Sequence, residues 1–346
     1  MNHAILHPHT PGRQRQSGLS LVELMIAITL GLILTTGLVQ FFIGNKQAYS
    51  TQIALNGLQE SGRYALRQVT DSLRLADHWG GVEGGDVSGS PVASGIGACD
   101  SAWIVDPNNG LMGYEGGAAS PLPSGCVATS DYLPDTDVFV VRNAGGDFVT
   151  SATVKSGSNA SALWVRTAVG RRAELFQGSN ISSLDSDLYD ASDEDAVGLY
   201  NYPFQIKAFF IRPCSAKSGA ACTANDDGGR PIPTLTSLSL VGNQLTEQAL
   251  ANGVEQMQIE YGIDTNQNDN VEFYTTADQV TANNQWPRVA SVRISLVVRS
   301  DKRTKTKDTS SYTLPGGYVF TPVGDAQYFR RKVFTSVVQI RNRSRS

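Results

Sequence analysis

Residues 19–43 constrain this chain more than any other stretch: between Leu19 and Ile43 there is no Lys, Arg, Asp or His, and Glu23 carries the one formal charge. As a helix rising ~1.5 Å per residue the run would extend roughly 37 Å, more than the ~30 Å hydrocarbon core of a bilayer. It is long enough to cross a membrane. It is also longer than the ~7–15 apolar residues of a secretory signal. Its exit, Gln40-Phe-Phe-Ile-Gly-Asn-Lys46, offers no small-residue cleavage site. The polar leader instead ends in Gly18, ahead of the run, so a cut there would leave the helix on the mature chain. Arg13 and Arg15 precede the run and no second stretch approaches membrane length. By the positive-inside rule the chain crosses once, with its leader cytoplasmic and its bulk exported.

Glu23 sharpens the reading. An ionised side chain costs about 2.5–3.5 kcal/mol near the centre of a membrane helix and less toward its end, so such a residue calls for a partner. A Gly, an apolar residue and a Glu at the fifth position of an unbroken apolar helix resemble the class III leader of type IV prepilins and pseudopilins. The resemblance implies that a prepilin peptidase cuts between Gly18 and Leu19 and methylates the new amine. It also implies that Glu23 docks the helix against the Leu19 amine of a neighbouring subunit. Leu19 stands where the family most often has Phe. The plainer alternative, a signal anchor with an interfacial Glu, needs Gly18, the five-residue spacing and the short basic leader to coincide.

Composition narrows the function classes. Of four histidines in 346 residues, His3, His7 and His9 lie in the leader, which leaves His78. A Ser/His/Asp triad, a Cys/His pair or a His-based zinc site cannot be assembled around one imidazole beside Trp79, so no enzyme is expected. The formal charge of −4 becomes more negative once Arg13 and Arg15 leave with the leader, and nucleic acid is excluded as a partner on that balance. Charged residues are only 17% of the chain and glycines number 34, a profile of an exported, loop-rich β protein. Cys99, Cys126, Cys214 and Cys222 all come after the apolar run, and an even count in an oxidising compartment points to structural disulfides. Three pairings are possible; sequence proximity favours Cys99 with Cys126 and Cys214 with Cys222.

After Gly44 the helical pattern becomes amphipathic, with Leu55, Leu58, Ala65, Leu66, Val69, Leu73 and Ala76 at three- and four-residue intervals. One helix over 19–78 is expected, with 19–43 transmembrane and 44–78 amphipathic, leading into an exported β-rich domain over 79–346. Residues 80–130 read as a Gly- and Ser-rich loop region. Strand patterns appear at 137–142, 147–155, 162–167, 204–212, 234–241 before a Gly242-Asn243 turn, 254–263, 292–299 and 332–341. In 292–299 the alternation of Val292, Ile294, Leu296 and Val298 with Arg293, Ser295, Val297 and Arg299 predicts one buried and one more polar face. The main antiparallel sheet is expected from residues 250–346. The acidic run Asp185, Asp187, Asp190, Asp193, Glu194 and Asp195 reads as a solvated loop.

One loop has a metal pattern. Asp264, Asn266, Asn268, Asn270 and Glu272 offer oxygen at every second position, as a calcium loop does. The sixth position is Asp269 where an EF-hand has Gly, and the twelfth is Thr275 where it has a bidentate Glu. The competing reading is a hairpin turn rich in Asn and Asp that needs no cofactor.

Three blocks near the end, residues 254–266, 289–300 and 330–342, are similar to the PilW family of minor type IV pilins, which fits the leader and the length. That resemblance implies an α+β, type IV pilin-like fold, a long amino-terminal helix packed on an antiparallel β-sheet domain with large loop insertions. It implies a minor pilin that primes pilus assembly and joins the tip complex. Its expected partners are the prepilin peptidase, other minor pilins, the major pilin, a tip adhesin and inner-membrane lipid. The expected location is the inner membrane, single-pass with a periplasmic domain, and then the extracellular pilus. Two other functions fit the same features: a J-type minor pseudopilin of type II secretion, and an adhesin or ligand-binding module at the pilus tip.

Overall fold

The computed structural model describes residues 18, 20–89 and 99–343. The chain is α+β. Its one long helix among the described residues, α1, is Leu21–Leu75, and the chain divides between Ile53 and Ala54 into two compact units. In the first unit the helix has every large apolar side chain from Leu21 to Phe42 exposed. Its threonines return their hydroxyls to the helix backbone: Thr29 donates to Met25 and Ile26 carbonyls, Thr35 to those of Gly31 and Leu32, and Thr36 to that of Leu32. None of these three hydroxyls is left needing water, as an apolar environment requires.

Among the described residues, the second unit holds fourteen strands in three sheets. Those of the first half are β1 (Val87–Gly89), β2 (Leu111–Tyr114), β3 (Val138–Ala144), β4 (Leu163–Ala168), β5 (Arg172–Gln177), β6 (Leu199–Arg212), β7 (Thr234–Val241) and β8 (Gln244–Asn252). They form one eight-stranded sheet in the order β1-β5-β4-β6-β3-β2, from which β7 and then β8 branch at β6. The branch exists because β6 is 14 residues long: its first part pairs with β4 and its last part, from Lys207, with β7. Every pairing is antiparallel except β1 with β5. The second sheet is β10 (Phe273–Thr275), β9 (Val254–Ile263), β11 (Val289–Arg299) and β14 (Arg331–Gln339), in that order and antiparallel. Between β11 and β14 lies the small hairpin of β12 (Tyr312–Thr313) and β13 (Val319–Phe320).

One core joins the amphipathic half of α1 to both sheets: Leu58, Ala65, Val69 and Leu73 pack with Met257, Ile259, Val292, Ile294 and Phe334, and with Phe139, Val141 and Phe209 of the larger sheet. The other face of the larger sheet buries Val138, Val140, Ala208 and Phe210 against Trp79 and Ile104. Both faces of β3 are therefore covered, which is why Val138-Phe-Val-Val141 is an uninterrupted apolar run. The helix lies close on the second sheet at Gly62, where a Cβ would come 2.2 Å from the Phe334 ring.

Several elements differ from the sequence pattern. The helix stops at Leu75 because Asp77 takes a left-handed conformation (φ 62°) and turns the chain. Residues 80–130, which read as loop, contain β1 and β2 as well as a helical turn, Ser101–Ile104, capped by Asp100, whose carboxylate accepts the Ala102 and Trp103 N–H groups. The larger sheet lies within residues 87–252, not 250–346. Residues 147–155, expected as strand, become the short helix Ser151–Lys155 because Thr150 caps it by accepting the Thr153 N–H. In β11 Ser295 and Val297 are buried along with the apolar set, since the turn Pro315–Gly317 covers the second face.

Candidate functional site

Three places in the fold carry features that a packed core alone does not explain. The first is the start of α1. Gly18 is exposed, outside any helix, while Leu19 lies outside the described residues. Glu23 and Ser20 cap the helix reciprocally: the Ser20 N–H donates to Glu23 Oε2 (3.4 Å) and the Glu23 N–H to Ser20 Oγ (3.3 Å). This is a capping box, in which two of the four orphan N–H groups of a helix start are satisfied. The signal Ser-Leu-Val-Glu was present in the sequence beside the acid and gives Glu23 a second role. The carboxylate also sits where the helix dipole favours negative charge. Among the described residues it has no cationic partner.

The second is the clasp at the far end of α1. Asn342 Nδ2 donates to the carbonyls of Arg74 (3.3 Å) and Ala76 (2.9 Å), two of the orphan acceptors of a helix end. Arg343 pairs with Asp77 at 2.7 Å and donates to the carbonyls of Trp286 and Leu111. The Asp77 carboxylate also accepts the Trp79 indole N–H, and the Asp77 N–H donates to the Arg142 carbonyl of β3. The Asp77–Arg343 pair and the bonds around it thus tie the helix end and the segment after β14 to β2 and β3 of the larger sheet and to the turn that precedes β11.

A third set of charges joins the two sheets. Asp137 accepts the N–H of Gly116 (2.9 Å) and of Ile259 (2.7 Å), while Glu115 accepts that of Ala277. Burial, and then the Glu115 charge, push the Asp137 carboxyl up to about 7. Burial raises Glu115 in the same direction. Because the folded chain holds the Asp137 proton more tightly than the unfolded chain, this group stabilises the domain most below about pH 4, and the contribution is lost as pH rises to about 7. The urea midpoint is expected to fall over that interval, and the fall to flatten in Asp137→Asn. Parallel pH profiles in wild type and variant would refute this assignment.

The other residues that stand out in the sequence are structural. Cys99 bonds Cys126 and Cys214 bonds Cys222. Among the described residues the one trio of His, Cys, Asp or Glu side chains close enough for a metal ion is Cys214, Cys222 and Asp226, and its cysteines are spent on the second disulfide. In the 264–272 loop Asp264 accepts the N–H groups of Asn268 and Asp269, Asn266 that of Asn268, Asn268 that of Asn270, and Glu272 that of Thr265. Four of the five side chains expected as calcium ligands thus close the β9–β10 connection on itself. Asp269 holds φ 65° where an EF-hand has Gly. This donor set fits a self-closed turn. The acidic run is not simply solvated: Glu194 pairs with Lys155, Asp195 accepts from Ser151, and the buried Arg166 donates to the carbonyls of Leu188 and Glu194, folding residues 178–198 over Trp164 and Phe176. Sequence reasoning missed Arg142 and Arg166, cations within apolar strands, and Arg343, one of three arginines in the last six residues.

Comparison with known proteins gives two family matches. Residues 221–342 match the family described as Type IV Pilus-assembly protein W, and residues 13–39 match the prokaryotic N-terminal methylation motif. No curated protein matches the chain at significant similarity. Among solved structures, the type IV-like pilin TTHA1219 from Thermus thermophilus is similar over 41% of this chain and 80% of its own length, with 10% identity and a TM-score of 0.20, too loose a match to carry argument. The methylation motif contains Gly18, Leu19 and Glu23, and the first family spans β7 to β14 with the clasp residue Asn342. These two segments carry the likeness of the chain to PilW-type minor pilins: a PilW-family segment over residues 221–342 and a methylation motif over residues 13–39.

Proposed function

We propose that this chain is a minor type IV pilin, cut between Gly18 and Leu19 by a prepilin peptidase, methylated on the new amine, and assembled with other minor pilins and the major pilin to prime the pilus and form part of its tip. The observation that carries the reading is the division of labour along α1. Its first part is exposed and apolar with one acid in a capping box, and its second part buries one face in the core of the β domain. Before assembly the first part holds the subunit in the inner membrane, with the β domain in the periplasm. Within the filament Glu23 offers its carboxylate to a neighbour's amine. The role is structural and non-catalytic.

Deleting the chain is expected to abolish surface pili and twitching, scored by shear preparation and stab-plate motility, with both restored by the wild-type copy and not by Glu23→Val. Loss of protein secretion with twitching intact would instead fit the pseudopilin role. Pili assembled normally but unable to attach would favour the tip adhesin. That last reading has one observation behind it, the surface cluster of Phe148, 59% exposed, with Tyr200 and Tyr202 at ring separations of 4.8 and 6.4 Å.

A further inference from the structure

The chain is acidic overall, yet one end of the second unit is basic. Lys302, Arg303, Lys305, Lys307, Arg330 and Lys332 are all exposed. The acids around them are few or already engaged. Asp301 is exposed, and Asp325 pairs with Arg303 at 3.1 Å. Asp308 and Glu255 are bonded to the buried Arg331, and Glu255 also pairs with Arg299. The loop is tied in place: the Thr304 N–H donates to the Tyr328 carbonyl and the Asp308 N–H to that of Gln327. Arg303 and Lys307 both lie over the Tyr328 ring, at 4.8 and 5.6 Å, so their charges are gathered around one aromatic ring.

The register of helix and strand fixes which end this is. Gly62 lies against Phe334, and Arg74 and Ala76 are bonded to Asn342, so β14 runs in the same direction as the helix over residues 62–76. The Ser300 N–H donates to the Arg330 carbonyl, and the basic loop therefore leaves the sheet beyond the Phe334 end, away from Asn342. That is the end of the unit at which the helix enters at Ala54, and only residues 44–53 separate Ala54 from the apolar run.

We propose that this basic loop rests on the anionic phospholipid headgroups of the membrane that holds the apolar helix before assembly. The inference depends on the anchored state described under the proposed function. Charge complementarity selects the occupant: four cations within residues 302–307, with two more across the strand ends, match a surface of phosphate groups. Each exposed Lys or Arg close to an anionic bilayer strengthens attraction about fivefold, and the effect fades within a Debye length. The contact orients the β domain while the subunit waits, and it is surrendered when the helix leaves the lipid.

The test uses the full chain reconstituted into vesicles of phosphatidylcholine alone or mixed with phosphatidylglycerol. Acetylation of Lys302, Lys305 and Lys307 is read by peptide mass spectrometry as a ratio to Lys207, an exposed lysine of β6 in the same molecules. The ratio is expected to fall at least about fivefold in the mixed vesicles at low salt and to recover in high salt. An equal ratio in both vesicles, with the chain floating with both, would overturn the proposal and leave the anchored reading intact. Failure to float with neutral vesicles would overturn the anchored reading and the proposal with it. Protection in neutral vesicles that grows with protein density, or that inorganic phosphate alone produces, would overturn it in favour of a second subunit or a free anion.

Discussion

Arg343→Ala is expected to lower the melting temperature of the detergent-purified protein by roughly 10 °C, from a loss of about 3–5 kcal/mol on breaking a buried ion pair and a shift of about 2–4 °C per kcal/mol in a domain of this size. Both side chains of the Asp77–Arg343 pair are nearly inaccessible, at 9% and 6%, so removing one leaves a charge stranded beside Trp79. The effect is not local. The same guanidinium holds the Leu111 carbonyl of β2 and the Trp286 carbonyl of the turn that precedes β11, and its neighbour Asn342 closes the helix end. The double variant Asp77→Leu with Arg343→Met removes both charges and is expected to melt above either single variant, because an apolar pair costs no desolvation. An unchanged melting temperature in Arg343→Ala would mean that the clasp contributes nothing to stability.

Gly18→Ala is the second large effect. It is expected to abolish leader removal, leaving the full-length form in peptidase-positive cells and none of the mature band. Gly18 is exposed and no side chain lies within 4 Å of where its Cβ would be, so an Ala there meets no steric obstacle in the fold. Any loss of processing would then come from recognition by the peptidase. Unchanged mobility between wild type and variant would count against the cleavage site.

How much of this was legible in the sequence depended on how local the cause was. The long helix was, since its apolar run and the three- and four-residue spacing beyond it are properties of adjacent residues. The capping box has an equally local signature in Ser20 and Glu23, overshadowed by the charge of the acid. The hairpin of β7 and β8 was half visible: Gly242 takes φ 60° in the turn, yet Gln-Leu-Thr-Glu-Gln-Ala-Leu-Ala-Asn is rich in helix formers and becomes strand only because β7 offers it an edge. The middle of the chain was legible in part: the patterns at 137–142, 162–167, 204–212 and 234–241 are β3, β4, β6 and β7, while β1, β2 and β5 escaped notice. Where the larger sheet is covered on both faces, as along β3 and β4, its strands lose the alternation that marks a strand exposed on one side. The clasp was invisible: Asp77 and Arg343 are 266 positions apart, and nothing beside either residue announces the other. For the 264–272 loop the alternating oxygens were real, but the backbone amides they satisfy could not be read from spacing.

The central claim is that a trimmed and methylated amino terminus stands in front of a membrane-length helix. Intact mass and amino-terminal sequencing of the protein extracted from membranes of a piliated host test it most directly. The account predicts a chain that begins at methylated Leu19; a chain still carrying residues 1–18, or one recovered unmethylated from the soluble fraction, would contradict it.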